Sequence, residues 1–314
     1  MKALVSGARG PALLERPEPS PGENECLVRV RAALVTPADL RAARREPATV
    51  LGQAFVGVVE RLGGEAGRPL LGKRVAVHPV LRCGTCDRCV GGLSNHCRQR
   101  AVLGLDGRDG GLAERVAVPA ANCTALPDAL DDERAVFAVT VAEAVEATRQ
   151  IRVDGKAYIT VLGDDLVTLV TAQVMTRLNA AVRVIARQQA TLAAAEKLGV
   201  KHRHADEIGR RGDQDVVVDC VGSAESLAFA SALVRARGTV VLKSLAASQE
   251  VAGVADLSPI VLGELNVQGS FHGPLPQALE LLGKRAVEVV SLIERRVGLD
   301  AALPLRSATV VRPA

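Results

Sequence analysis

Four of the seven cysteines lie close together with the spacing C-x2-C-x2-C-x7-C: Cys83, Cys86, Cys89 and Cys97. Thiolates at this spacing close on one ion about 2.3 Å from each sulfur, and four of them complete a tetrahedral zinc site with no open position. One alternative is four reduced surface thiols, which at this density would be an oxidation liability. A redox pair is a second alternative. We expect one structural zinc, held in a lobe over about residues 82–98.

The other cysteines and the histidines show no comparable pattern. Cys26, Cys123 and Cys220 are scattered and are expected to be small core residues. The five histidines form no metal-ligand spacing with a carboxylate. The start of the chain lacks a secretory signal and no run reaches about 18 apolar residues, so we expect a cytoplasmic protein with no membrane contact.

The composition argues against nucleic acid as a partner. The formal net charge is only +4, and no Trp, one Tyr and four Phe leave few rings to stack on bases. The length of 314 residues predicts two domains.

The hydrophobic pattern changes along the chain. Residues 26–32 alternate apolar and polar side chains, and residues 55–59 and 74–77 are β-branched runs, which predict an all-β module. From about residue 131, strands over 157–162, 182–185, 215–220 and 238–242 alternate with helices over 166–178, 190–198 and 224–234. Repeated βα units predict a parallel, doubly wound sheet, so the fold class is α/β. A helical stretch over 275–292 and a strand over 308–311 follow.

Several segments resemble the zinc-dependent alcohol dehydrogenases of the medium-chain dehydrogenase/reductase superfamily. Residues 52–60 resemble the family's G-H-E-x-x-G-x-V stretch, and residues 109–114 its D-G-x-x-A-E segment. Residues 219–223 and 238–244 resemble the fourth and fifth strands of its cofactor domain. With the cysteine lobe, the resemblance covers nearly the whole chain.

The resemblance implies two domains and a cofactor. It places a GroES-like β-barrel at residues 1–130 and 272–314, and a Rossmann-type domain that binds NAD or NADP at residues 131–271. The active site of relatives lies in the cleft between them and takes a small-molecule substrate, here unknown. Residues 264–271 resemble the strand that pairs across a two-fold axis in relatives, so a homodimer is expected.

The chain departs from the family at the catalytic zinc. The positions that match the three zinc ligands hold Thr36, Gln53 and Val139, and Ala54 replaces the acid of G-H-E. Neutral oxygens and an alkyl group do not replace thiolate, imidazole or carboxylate ligands. We therefore expect no catalytic zinc and no confident catalytic residue.

The dinucleotide fingerprint G-x-G-x-x-G departs as well. Only Gly163 remains, because Asp165 and Thr168 replace the second and third glycines. A carboxylate about 4–6 Å from a diphosphate costs on the order of a few kcal/mol and would weaken binding about a hundredfold. Alternatively, Asp165 caps the following helix and points away.

The rest of the cofactor site retains more of the family pattern. At the end of the second strand Arg187 stands where an acid for the ribose hydroxyls is expected, which favours NADP if a dinucleotide binds, although a solvent-facing arginine is an equal alternative. The strand ends at Val221, Leu242 and Ser244 remain family-like candidates for cofactor contact.

Two hypotheses of function follow. One is an alcohol dehydrogenase-like oxidoreductase without catalytic zinc and with weakened NAD(P) binding. The other is a catalytically silent homologue kept for binding, regulation or assembly, since fold alone does not decide function.

Overall fold

The computed structural model describes residues 1–152, 155–209, 211–244 and 256–313. They form two compact units, one made of residues 1–139 and 275–314 and the other of residues 140–274.

The N-terminal part of the first unit is built from short strands, as its alternating pattern predicts. These are β1 (Lys2–Val5), β2 (Ala12–Glu15), β3 (Glu25–Val35), β4 (Ala54–Leu62), β5 (Arg74–Val77), β6 (Val80–Leu81), β7 (Ala101–Val102), β8 (Arg115–Pro119) and β9 (Cys123–Ala125). Between them lie the helices α1 (Pro37–Ala42) and α2 (Asp87–Val90) and 3-10 turns at Glu65–Leu70, Ser94–His96 and Ala120–Asn122, and α3 (Asp132–Ala135) follows β9.

Strand β3 is a central strand of the sheet in this unit. It pairs antiparallel with β4, and it also pairs antiparallel with β8. Its register against β4 shifts twice, at Leu27/Val28 and at Val30/Ala32. Such irregularities bend a strand and increase its twist, which lets a sheet curl around a core. The core behind it contains Phe55, which is fully buried together with Leu4, Leu51, Leu103 and Leu112.

The second unit is a parallel sheet with helices between its strands. The strands are β10 (Ala157–Leu162), β11 (Ala180–Ala186), β12 (Lys201–His204), β13 (Gln214–Asp219), β14 (Val234–Leu242) and β15 (Asn266–Gly269). The helices are α4 (Ala138–Gln150), α5 (Leu166–Met175), α6 (Gln189–Lys197), α7 (Ala224–Leu233) and α8 (Ser258–Leu262), with a 3-10 turn at Ala205–Glu207.

The strand order of this sheet is β12-β11-β10-β13-β14-β15, with every neighbouring pair parallel. This is the order of a doubly wound dinucleotide-binding fold, so the α/β prediction is confirmed. The order reverses between β10 and β13, and ligands of such sheets bind outside the carboxyl ends of the strands at that point.

The C-terminal segment returns to the first unit through α9 (Leu275–Gly283), β16 (Arg295–Gly298) and β17 (Thr309–Arg312), with 3-10 turns at Val290–Leu292 and Leu299–Ala301. Strand β17 pairs antiparallel with β3. The predicted helix over 275–292 is wrong in its second half. Arg285 has a φ of +52°, and the N–H of Ala286 donates to Leu281 O. A left-handed residue at this place ends a helix.

Candidate functional site

Two of the three positions that match catalytic-zinc ligands are joined through Asp39. Both the backbone N–H and the hydroxyl of Thr36 donate to Asp39 Oδ2, at 2.8 and 2.7 Å, and Gly52 N–H donates to Asp39 Oδ1 at 2.9 Å. Asp39 is fully buried. Burial raises its pKa, and the hydrogen bonds from Thr36, Gly52 and Gln53 act in the opposite direction. The carboxylate is therefore a structural link between α1 and the start of β4.

The side chains at these positions offer no zinc ligand set. Thr36 has its hydroxyl proton directed at Asp39, and Gln53 is buried with only 4% of its surface exposed. Val139 lies in the first turn of α4, also buried, and has only carbon atoms to present. Three ligands that include no thiolate, imidazole or carboxylate do not fit a catalytic zinc.

The two motifs of the first unit pack on each other and hold Gln53 in place. Gly111 N–H donates to Gly52 O, and Leu112 N–H donates to Leu51 O, both at 2.8 Å. A Cβ atom on Gly111 would come within 2.2 Å of the Phe55 ring. Gly111 is thus required because the ring of Phe55 lies directly against its backbone.

The four clustered cysteines come together around one point. Their sulfur atoms all lie within 4.8 Å of one another, with Cys97 buried and the other three half-buried. A tetrahedral zinc with bonds of about 2.3 Å sets sulfur atoms about 3.8 Å apart. The pairs Cys83–Cys89 and Cys86–Cys97 are separated by 4.0 and 3.9 Å. The residues present therefore fit a structural zinc.

The backbone of the lobe supports negative sulfur atoms. Cys86 N–H donates to the Cys83 sulfur, and Gln99 N–H to the Cys97 sulfur, both at 3.4 Å. Hydrogen bonds from Thr85 and Cys86 lower the pKa of Cys83 to about 6, whereas loss of hydration raises that of Cys89 to about 12. All four thiols become thiolates together only when a cation neutralises them. When bound, zinc would cross-link the lobe and supply folding energy.

The remaining cysteines differ in part from expectation. Cys26 and Cys220 are buried, as predicted, and the sulfur atoms of Cys26 and Cys123 are 3.6 Å apart. Cys123 is only half-buried. Both are free thiols, at a distance well beyond the roughly 2.05 Å of a disulfide.

The altered fingerprint lies between β10 and α5. Asp165 is the N-cap of α5, and its carboxylate accepts from Thr168 N–H at 3.0 Å and from the Thr168 hydroxyl at 3.1 Å. Gly163 has a φ of +147°, and a Cβ atom there would lie 2.3 Å from the Thr168 hydroxyl oxygen. Thr168 is fully buried and occupies the space that a third glycine would leave open. Capping does not remove the charge of Asp165 from the helix N-terminus.

The preceding acid, Asp164, caps the end of β11. Its carboxylate accepts from the N–H groups of Arg187 and Gln188, at 2.9 and 2.7 Å. The Arg187 guanidinium pairs with Glu225 at 2.5 Å, and both side chains are largely exposed. Arg187 therefore faces solvent, and its charge is paired with that of Glu225.

A cavity of about 200 Å³ lies at the switch point of the sheet, lined by Leu162, Gly163, Asp164, Ile185, Ala186, Arg187, Ala205, Val221, Ser223, Glu225, Ser226 and Phe229. Of the predicted cofactor residues, Gly163, Arg187 and Val221 line it. Leu242 and Ser244 lie farther along the sheet, at the end of β14.

Asp219, at the end of β13, holds the loop beside this cavity by hydrogen bonds. Asp219 is fully buried and accepts from the Ser226 hydroxyl at 2.7 Å and from Val221 N–H at 2.8 Å. Burial raises its pKa, and the hydrogen bonds from Ser226, Gly222 and Val221 oppose this. These bonds fix the loop that carries Val221 and the start of α7.

The second unit also contains a histidine–carboxylate pair that the sequence did not predict. His272 Nδ1 lies 2.9 Å from Glu143 Oε1, and only 2% of the His272 side chain is exposed. Nearby, the buried Lys243 donates from Nζ to Phe271 O at 3.1 Å. Glu143 lies on α4 and His272 follows β15, so no local motif reveals the pair.

Two family models match the chain. Residues 22–128 match the alcohol dehydrogenase GroES-like domain, and residues 167–284 match the zinc-binding dehydrogenase domain. The first unit has the barrel, the four-cysteine lobe and the glycine motifs of that family, and the second has its doubly wound sheet. The chain belongs to the zinc-dependent alcohol dehydrogenase-like family of the medium-chain dehydrogenases/reductases.

Two relatives that cover most of the chain are named as dehydrogenases. The chain is 28% identical to an L-idonate 5-dehydrogenase of Vitis vinifera, covering 88% of this chain and 82% of the relative. It is 26% identical to a sorbitol dehydrogenase of Arabidopsis thaliana, covering 90% and 84%. A zinc-binding dehydrogenase of Sinorhizobium meliloti 1021, solved bound to NADP, superposes with a TM-score of 0.87 at 27% identity, covering 99% of both chains.

None of the described helices is both long and apolar enough to span a membrane.

Proposed function

We propose that this chain is an alcohol dehydrogenase-like oxidoreductase that works without a catalytic zinc and binds NAD(P) weakly. The Thr36–Asp39 pair carries the proposal. Because Asp39 holds the Thr36 hydroxyl and the backbone before Gln53, the positions that match the zinc ligands serve as structural links and offer no anionic ligand.

Weak NAD(P) binding is supported at the second unit. The Asp165 carboxylate accepts a hydrogen bond from Thr168 N–H at the helix N-terminus, where proteins of this fold class bind the diphosphate of a dinucleotide. The residues present do not fit a diphosphate tightly, although NADP is bound in the relative from Sinorhizobium meliloti. Arg187 favours NADP only if Glu225 releases it.

The His272–Glu143 pair supports retained chemistry. His272 Nδ1 lies 2.9 Å from a carboxylate oxygen of Glu143, and a carboxylate beside an imidazole is how proteins orient a histidine to move protons. A zinc-free oxidoreductase needs such a group, because it has no Lewis acid to acidify an alcohol.

The alternative is a catalytically silent homologue. The concurrent departures at Thr36, Gln53, Val139 and Asp165 favour it, beside a cysteine cluster with complete zinc geometry.

Fluorescence titration with NADH and NADPH separates the two. The oxidoreductase proposal expects saturable binding with a Kd on the order of 0.1–1 mM, about a hundredfold weaker than micromolar binding. Absence of binding at several millimolar would favour the silent homologue. Micromolar binding of either nucleotide would contradict the weakened site.

We also propose that the protein is a homodimer. Among the described residues, β15 pairs only with β14, so its other edge is open. Beside it Val267 is 36% exposed, and Val261 and Leu262 on α8 are 73% and 85% exposed. Open edges and large exposed apolar side chains are usually covered. The mass of the protein in solution tests the homodimer proposal.

A further inference from the structure

We propose that Cys26 and Cys123 form a modification site, at which hydrogen peroxide oxidises the two thiols to a reversible disulfide that cross-links β3 and β9. Neither cysteine belongs to the four-cysteine lobe or to a position that matches a zinc ligand or a cofactor contact of the family. The inference therefore goes beyond the proposed function and does not depend on it.

The two sulfur atoms are already in contact. They lie 3.6 Å apart, although 97 positions separate the two residues along the chain. A disulfide bond is about 2.05 Å long, so the sulfur atoms need to approach each other by about 1.5 Å. Rotation of the two side chains about χ1 moves the sulfur atoms while the backbone stays in place.

The backbone around the pair is held on the β9 side by hydrogen bonds. A 3-10 turn leads from β8 into Cys123, the first residue of β9. Within this turn, Ala120 N–H donates at 3.0 Å to the carbonyl of Asn24, which lies two residues before Cys26. The buried Asn122 side chain donates to two further carbonyl groups, both at 2.7 Å. The thiols are therefore held next to each other, which favours an intramolecular reaction.

A metal site is the alternative role for two neighbouring thiols. In the part of the chain that the structure describes, the four-cysteine lobe is the one group of three or more side chains placed to share a metal ion. A structural zinc takes four ligands. Cys26 and Cys123 supply two sulfur atoms only, so oxidation explains their contact better than metal binding does.

The two thiols differ in exposure and in acidity. Cys26 is fully buried, whereas Cys123 is half-buried, so peroxide meets Cys123 first. The hydrogen bond between the two thiols lowers the pKa of Cys26, and the same bond together with burial raises the pKa of Cys123. A thiol with a raised pKa reacts slowly with peroxide. The first step should therefore be slow, and Cys26 is suited to the second step.

The reaction balances with one molecule of hydrogen peroxide. The Cys123 sulfur attacks one peroxide oxygen, the O–O bond breaks, and the other oxygen leaves as water with the thiol proton. Cys123 is then a sulfenic acid. The Cys26 sulfur attacks the Cys123 sulfur, the S–O bond breaks, and a second water leaves with the Cys26 proton. The two thiols lose two electrons, which reduce the peroxide to two waters, and an added dithiol reverses the oxidation.

The cross-link would close a long segment of the first unit, from β3 to β9, which includes the four-cysteine lobe. A disulfide that closes a loop of about 100 residues restricts the unfolded chain strongly. The oxidised protein should therefore melt at a temperature about 5 °C higher than the same protein without the cross-link.

Peptide mapping of the full chain, supplied with zinc and treated with about 1 mM hydrogen peroxide for several hours, tests the proposal. Free thiols are alkylated, and the unreduced peptides are analysed by mass spectrometry. The expected product is a pair of peptides joined through Cys26 and Cys123. Dithiothreitol should release the two peptides and lower the melting temperature again.

The variant Cys123→Ser separates this cross-link from oxidation elsewhere. It changes a half-buried side chain, so the fold should tolerate it, and Cys26 should be recovered as a free thiol after peroxide treatment. Its lobe is the same as in the natural protein, so the difference in melting temperature between the two treated proteins reports the cross-link alone. The control Cys220→Ser changes a buried thiol of the second unit and should still form the cross-link.

Two results would overturn the inference. One is the recovery of Cys123 as a free thiol or as a sulfinic acid, with no peptide joined to Cys26. The other is a disulfide from Cys26 or Cys123 to a cysteine of the lobe in place of the expected pair. Neither result bears on the proposed oxidoreductase function, which the titration with NADH and NADPH tests separately.

Discussion

The Asp165 carboxylate holds Thr168 by two hydrogen bonds, one to its backbone N–H and one to its hydroxyl, at 3.0 and 3.1 Å. The two departures from the glycine fingerprint are therefore one interacting pair. Thr168 fills the space beneath Gly163, and Asp165 satisfies the donors that Thr168 and the helix present.

Because the pair is coupled, its members should not contribute independently to stability. Asp165→Ala should cost about 1 kcal/mol of unfolding free energy through the lost N-cap. Thr168→Val should cost a similar amount, and the double variant should cost less than the sum by about 0.5–1 kcal/mol. Urea unfolding of the four proteins measures this.

Thr171→Val is the matched control on the same helix. The Thr171 hydroxyl is buried and has no hydrogen-bond partner among the described residues. Replacing it with a methyl group should be neutral or stabilising. Simple additivity of Asp165→Ala and Thr168→Val would show that the two hydrogen bonds do not couple them.

Runs of β-branched residues and the four-cysteine spacing were sufficient to predict the sheet of the second unit and the cysteine cluster. Contacts between distant residues were not predictable. Asp164 caps the end of β11 from 23 positions away, and Glu143 and His272 lie on different elements. The end of α9 was missed because Arg285 adopts a left-handed conformation that no glycine announces.

The cysteine lobe should hold one zinc per chain. Cys89→Ser removes one of four converging sulfur ligands, so metal analysis after dialysis should find little zinc, and the melting temperature should fall. Cys220→Ser changes a buried thiol outside the lobe and should leave the zinc content at one. Undiminished zinc in Cys89→Ser, or two zincs in the natural protein, would contradict the assignment.

Acid should weaken the attachment of the C-terminal strands. Glu133 Oε1 accepts from Arg296 and Arg312 at 2.9 and 2.7 Å, and Arg296 in particular lowers the pKa of Glu133. A carboxylate with a lowered folded-state pKa stabilises the protein above its unfolded-state pKa, and this stability is lost as pH falls through the folded-state value.

Glu133→Gln should therefore cost up to about 1 kcal/mol of unfolding free energy at pH 7 and almost nothing near pH 3. Glu65→Gln, at an exposed pair with Arg68, should have no measurable effect at either pH. Denaturant melts at the two pH values provide the comparison. An equal cost for Glu133→Gln at both would mean that the charge is irrelevant.

Light scattering at micromolar concentration should give the mass of a dimer. The double variant Val267→Lys with Leu262→Arg places charges on the open edge of β15 and on α8, so it should yield a folded monomer. Val90→Lys changes an equally exposed apolar side chain, at 76%, in the zinc lobe and should remain dimeric. A natural protein with the mass of a monomer would refute the dimer.

The final prediction concerns the missing zinc ligands. Thr36→Cys, Gln53→His and Val139→Glu together should create a second zinc site, because they replace neutral groups with a thiolate, an imidazole and a carboxylate at the three matching positions. Asp39 still accepts from the backbone N–H groups of residues 36 and 52, so the local fold should survive. No single replacement supplies enough ligands, so each single variant should retain one zinc.

The triple variant should still not oxidise simple alcohols at a high rate, because NAD(P) binding remains weak. Adding Asp165→Gly and Thr168→Gly should raise NADPH affinity about ten- to a hundredfold. Only this combined protein should show NAD(P)-dependent turnover well above the natural chain. A triple variant that retains only one zinc would mean that the three positions do not converge, and efficient turnover by the natural protein would mean that neither repair was needed.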